Sequence, residues 1–193
     1  MGNCGTGNSV GVGGNGVTAA MSYAFDSGFS LAGGISSTQT TDDGDVPGIL
    51  TDEGTDTFGI EAAYTADSYG VAIAFADNDG GTGDGTTYWG INGYYAFDFA
   101  TISAGVESAD SDSSDTASGF MVGLSFPEVG AGSLDVGLGT TGNFASSDPE
   151  YYIYEASYAY PVNDGITITP GVYVREQAGD DQTGIAVKTS FSF

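Results

Sequence analysis

Histidine is absent from the 193 residues, cysteine occurs once, and Lys and Arg together occur twice. Without His, nucleophile–base pairs of the Ser-His-Asp or Cys-His kind are excluded, and so are the usual Cys/His zinc sites. The single Cys4 cannot close an internal disulfide. Two cations cannot neutralise a run of phosphates, which excludes nucleic-acid binding. Long apolar runs are also missing. Val71 to Ala76 is among the longest, far short of the roughly 18 residues of a membrane helix. Helix signals are weak throughout, because 33 residues are Gly and apolar residues recur every second position. The first residues show neither a basic nor an apolar leader region, so no signal peptide is visible there.

What the chain does have is acid: 26 Asp and Glu, for a net charge of -24 at pH 7. Acidity on this scale reads as disorder or as a soluble protein of a salty habitat. A hydrophobic content of 40% with 12% aromatics opposes disorder. The positions of the acids discriminate further.

Residues 1–16 are rich in Gly and Asn and read as a flexible N-terminal segment. From residue 17 to 193, segments of alternating apolar character are separated by turn residues. Eleven strands are expected: Val17–Phe25, Phe29–Ser37, Thr57–Ala66, Tyr69–Ala76, Thr87–Phe97, Phe99–Glu107, Gly119–Pro127, Ser133–Thr140, Tyr151–Tyr160, Ile166–Arg175 and Thr183–Phe193. Short turns follow the odd-numbered strands. Long polar loops follow the even-numbered ones, at 38–56, 77–86, 108–118, 141–150 and 176–182. This describes an antiparallel up-and-down meander with strands of the length that crosses a bilayer at a tilt. The fold class expected is an all-β transmembrane β-barrel; a soluble β-sandwich is the competing reading.

Strand parity bears on that choice, since side chains alternate faces along a strand. One parity is apolar, as in Phe58, Ile60, Ala62 and Tyr64, or Ile166, Ile168, Pro170, Val172 and Val174. The charges inside these strands, Glu61, Asp135, Glu155 and Lys188, and Arg175 at a strand end, all fall on the opposite parity. Random placement would give this about once in 32 trials. The opposite parity is otherwise small and polar, for example Thr101, Ser103 and Gly105, where a soluble core would need bulk. Of the 26 acids, all but Glu61, Asp135 and Glu155 are expected in loops, turns or their borders, and the apolar parity of the strands is expected to carry none. Aromatics gather near the short turns and, less densely, near the long loops, as two membrane interfaces require.

The chain ends Lys188-Thr-Ser-Phe-Ser-Phe193, and before that runs Tyr160-Pro-Val-Asn-Asp-Gly-Ile-Thr-Ile-Thr-Pro-Gly-Val-Tyr-Val174. The ending resembles the C-terminal signature of bacterial outer-membrane barrels. Phe191 and Phe193 would then be the signal that the barrel assembly machinery reads. The longer segment resembles the penultimate hairpin of cyanobacterial porins related to the OprB carbohydrate-selective family, some of which are called iron uptake porins. The resemblance implies the outer membrane of a Gram-negative-type bacterium, a cyanobacterium, with outer-membrane lipid as surroundings and a homotrimer as a possible assembly. It also implies a 16-stranded barrel, of which the eleven or twelve strands here would be the C-terminal part. The family's surface-layer-homology domain is not among these residues.

Several residues have a sharp and a bland reading. Asp77, Asp79 and Asp84 begin like a calcium loop, but the twelfth position is Tyr88 rather than a carboxylate, so no specific metal site is expected. Glu61, Asp135 and Glu155 could be catalytic carboxylates, yet nothing pairs them and no base accompanies them. No catalytic residue and no cofactor are expected. With Arg175 and Lys188 they are expected to line a pore. The two cations either form a basic patch opposite the acids or pair with neighbouring carboxylates. Pro170 is expected to mark a bulge or a local kink. The function expected is passive diffusion of small hydrophilic solutes and ions, carbohydrates or inorganic cations including iron, through a water-filled barrel with no enzymatic activity. The alternative is a structural or adhesive surface barrel without transport.

Overall fold

The structure is a computed structural model, and it describes residues 16–38, 54–81, 83–141 and 151–192. The N-terminal segment before Gly16, with Cys4, lies outside the described residues, as do the inner parts of two long loops and Phe193. All regular structure among the described residues is β. The strands are β1 (Gly16–Ala24), β2 (Phe29–Thr38), β3 (Thr55–Thr65), β4 (Tyr69–Asn78), β5 (Thr86–Ala96), β6 (Thr101–Ser111), β7 (Ser114–Val129), β8 (Gly132–Thr140), β9 (Tyr152–Asn163), β10 (Ile166–Arg175) and β11 (Gln182–Phe191). They form an antiparallel sheet in which each strand neighbours the next in sequence, from β1 to β11. The short turns after the odd-numbered strands leave no chain for a crossover, so those pairs are hairpins.

Two compact units divide this chain. The first holds β1–β4, β5 up to Asn92, the end of β6 and the start of β7; the second holds the remainder of β5–β7 and all of β8–β11. In the first unit, the β1–β2 turn depends on Gly28, whose φ of 85° is open to glycine at little cost. A Cβ there would run into the Thr65 carbonyl oxygen, while the Gly28 carbonyl accepts the Thr65 amide at 2.9 Å.

Three expectations need correction. The polar loop expected at 108–118 is a tight connection: β6 runs to Ser111 and β7 starts at Ser114. Asp is a poor strand former, and pairing between neighbours overrides its preference. The acids are therefore less confined to loops. Asp56, Asp77, Glu107, Asp110, Asp115 and Glu128 lie within strands. Asp77 pairs with Phe58, and Asp56 is two residues from Phe58, so both sit on the apolar parity at strand ends. Finally, the irregularity in β10 lies between Ile166 and Thr167, beside the turn. Register on both sides of Pro170 is unchanged, and Pro170 still faces Val187 of β11. A proline can drop one ladder donor without adding a residue to the strand.

Burial is inverted relative to a soluble sheet. In β4 the apolar Val71, Ile73 and Phe75 are exposed, while the alternating Gly70, Ala72, Ala74 and Ala76 are covered to a greater degree. The same alternation holds in β3, β6 and β10. Ile73 is 56% exposed, Val187 65% and Ile185 78%. Among the described residues the buried apolar side chains are Ala100 and Ala109 alone, and no large side chain is fully enclosed. A sandwich would bury this parity against a second sheet. Each such side chain gains roughly 1.5–3 kcal/mol on leaving water, so the exposed parity calls for an apolar surrounding.

Candidate functional site

The registers turn parity into surfaces. In the first unit the face opposite the apolar one is built from cross-strand rows. One row is Thr18, Ser36, Thr57 and Asn78; the next is Ala20, Gly34, Gly59 and Ala76; the third is Ser22, Ala32, Glu61 and Ala74. The polar row is knitted by Thr18 Oγ1 and Ser36 Oγ at 3.1 Å and by Asn78 Nδ2 donating to Thr57 Oγ1 at 2.8 Å. Glu61 is the one charged residue in these three rows, flanked by Ala32 and Ala74.

The corresponding face of the second unit carries four charges, each in its own row. Arg175 stands between Ile153 and Gln182. Glu155 stands between Gly137 and Tyr173. Asp135 stands between Ser125 and Ser157, and Lys188 faces Thr169. Successive rows are two residues apart, so the charges run + − − + along the strand direction. Glu155 is a diagonal neighbour of both Asp135 and Arg175, at about 7 Å between Cβ positions. Lys188 is three strands from Asp135, about 14 Å across the sheet.

This geometry separates the two cations. Gln182, the partner of Arg175, is six residues from Lys188 on β11, roughly 20 Å along the strand. They do not make one basic patch. Arg175 sits beside the acids, and Lys188 sits apart toward the short turns. Parity in the sequence placed both on one face, but the axial separation depends on register.

The acidic loop after β4 uses its carboxylates on its own chain. Asp79 Oδ1 accepts from the Asp56 and Gly81 amides at 2.8 and 3.0 Å, and Asp77 Oδ1 accepts from Thr87 Oγ1 at 2.8 Å. Among the described residues no three acidic, His or Cys side chains converge as metal ligands.

Aromatic rings cluster on each unit's apolar parity or in its turns. Near the short turns, Tyr23, Phe25 and Phe29 make successive contacts at 4.7 and 5.7 Å between centroids, and Tyr64 meets Tyr69 at 5.9 Å. Tyr95, Phe97 and Phe99 repeat the pattern in the second unit. Toward the long loops lie Phe58 with Phe75 and, in the second unit, Phe120 with Tyr152. Phe191, paired with Ile166, is 60% exposed. Two residues that sequence reasoning passed over stand out here. Tyr173 brings the bulkiest side chain to the charged face of β10, and Gly184 faces it on β11. Alternation around Val172 and Val174 was the signal that could have found Tyr173.

An antiparallel meander with an exposed apolar face, aromatic clusters toward both strand ends, and a small polar face bearing the charges is the wall of a membrane-spanning β-channel. The chain belongs to the Gram-negative porin family, whose profile matches residues 2–182. It is an outer-membrane channel protein. Among solved structures it is similar to one titled "KdgM porin in complex with disordered oligogalacturonate", with 11% identity, a TM-score of 0.47, and 93% of each chain covered. Comparison with curated proteins gives no match.

Proposed function

We propose that this porin passes small hydrophilic solutes and ions by passive diffusion along its small-residue face, with a preference for cations. The observation that carries this reading is the inverted burial: apolar parity exposed, and Gly, Ala, Ser and Thr on the face that holds Glu61, Asp135, Glu155, Arg175 and Lys188. A water-filled lumen removes the cost of those charges, which on a lipid-facing midplane would reach several kcal/mol for Lys or Arg. The three acids of these rows, with Glu107 on the same parity as Thr101, Ser103 and Gly105 in β6, outnumber the two cations and leave a net negative lining. The acidic loops add to it by raising the local concentration of cations at the mouth.

The solutes that fit are inorganic cations, iron among them, and neutral carbohydrates; the sugar reading rests on the resemblance of residues 160–174 to OprB-related cyanobacterial porins. In this reading lipid surrounds the apolar face, the assembly machinery engages the terminal Phe191 and Phe193, and copies associate as a homotrimer. The test is planar-bilayer recording of the full chain under a KCl gradient. A reversal potential on the potassium side is expected. A chloride-side potential overturns the charge argument, and absence of conductance overturns the channel.

A further inference from the structure

The row Gly137–Glu155–Tyr173–Gly184 brings an aromatic ring, Tyr173, onto the charged face of β10. Tyr173 is only partly exposed, as is Val174, while Val172 and Arg175 are exposed. The reason is where the ring lies. A Cβ on Gly184 would collide with Cε1, Cζ and Oη of Tyr173, so the outer half of the ring occupies the space a side chain at 184 would take. Other glycines on this face differ. At Gly137, in the same row, the nearest atom to a Cβ is the Val122 carbonyl oxygen at 3.9 Å. At Gly171 the nearest are the Ala156 carbonyl oxygen and the Ser157 Cβ, both at 3.4 Å. Only the space at Gly184 is filled by a ring among these three.

We propose that Gly184 is a positioning residue that lets Tyr173 lie against the wall of the pore, and that the Tyr173 ring sets the upper size of solute passing that level. This rests on the small-residue face being the permeation path. Packing an aromatic ring over a facing glycine covers exposed backbone in a sheet and holds the ring in one place. Pore diameter and the groups that line it then govern which solutes pass. Any side chain at 184 must lift the ring off β11. Its other flank in the row is Glu155, so the ring moves into the water-filled space or over that carboxylate. Either way the free cross-section falls at the level of Glu155.

The experiment compares Gly184→Ala with Gly137→Ala in the full chain, each alone and with Tyr173→Ala. Readouts are unitary conductance and liposome swelling in neutral sugars from a pentose to a trisaccharide. Heat-dependent gel mobility confirms that each variant has folded. Gly184→Ala is expected to lower conductance and to slow the largest sugar most, while Gly137→Ala matches the unaltered protein. Adding Tyr173→Ala to Gly184→Ala is expected to restore both readouts, which a purely structural defect at 184 would not allow. A folded Gly184→Ala that conducts normally, or a loss that Tyr173→Ala does not relieve, overturns the proposal while leaving the channel intact. An unaltered protein without conductance overturns the channel reading, and this proposal with it.

Discussion

The polar faces of β1–β4 and β8–β11 are built on the same plan and carry different chemistry. Both use small residues opposite an apolar parity. In β1–β4 three rows are nearly uniform in Gly, Ala, Ser and Thr, with Glu61 alone bearing charge. In β8–β11 every second residue along the strand direction brings a charge, and Tyr173 adds bulk. The comparison teaches that one plan, small residues opposite an apolar parity, can carry a single charge on one stretch and a charge in every row on another. In the proposed channel, selectivity would concentrate where Glu155, Asp135, Arg175 and Tyr173 share neighbouring rows.

The most severe way to break the comparison is to reverse the faces. Lys in place of Ile60 in β3 or Val172 in β10 puts a charge on the apolar parity near mid-strand. Each is expected to cost roughly 2–4 kcal/mol of folding stability, measured by urea unfolding from liposomes. Ala74→Lys and Ala186→Lys, on the other face, are expected to cost well under half as much. Equal costs would collapse the distinction between faces in that region.

Turn chemistry sharpens the contrast at the next level. Gly28→Ala must hold a left-handed residue at φ 85° against the Thr65 carbonyl, at a cost of about 1–2 kcal/mol. Gly165→Ala, in the β9–β10 turn, meets nothing nearer than the Ser192 carbonyl oxygen at 3.2 Å and is expected to be milder. Denaturant midpoints of the two variants decide this.

Selectivity follows. A carboxylate acting on a cation at roughly 6 Å in water contributes about 0.7 kcal/mol, roughly threefold in local concentration. Glu155→Gln with Asp135→Asn is therefore expected to lower the cation-to-anion permeability ratio by more than Glu61→Gln does, read from reversal potentials. An equal drop from Glu61→Gln would spread the filter over both regions. The smallest expected effect is at Tyr158, whose hydroxyl donates to the Val129 carbonyl at 2.7 Å beside the β7–β8 turn. Tyr158→Phe is expected to cost about 0.5–1 kcal/mol with conductance unchanged.

Much of this was legible in the residues. Period-two alternation located all eleven strands, because burial and lipid exposure select one parity each. It failed at 108–118, where Ser-Ala-Asp-Ser-Asp-Ser-Ser-Asp-Thr-Ala-Ser reads as loop and pairing with neighbours made it strand. It also overstated the purity of the apolar face, since Asp56 and Asp77 sit there at strand ends, close enough to the loops to reach water. The bulge beside Ile166 rather than at Pro170 was beyond composition, because a ladder can skip a donor and keep its register.

By itself the sequence determined which side of each strand a residue takes, and with it the division between an apolar surface and a charged, small-residue one. Parity is a local property of a pleated backbone and needs no partner strand. The tertiary structure alone decided which charges are neighbours. Arg175 lies beside Glu155, Lys188 stands about 20 Å from Arg175 along the strand, and Tyr173 rests over Gly184. Those relations depend on the register between strands, which turn lengths and bulges set and which no single segment contains.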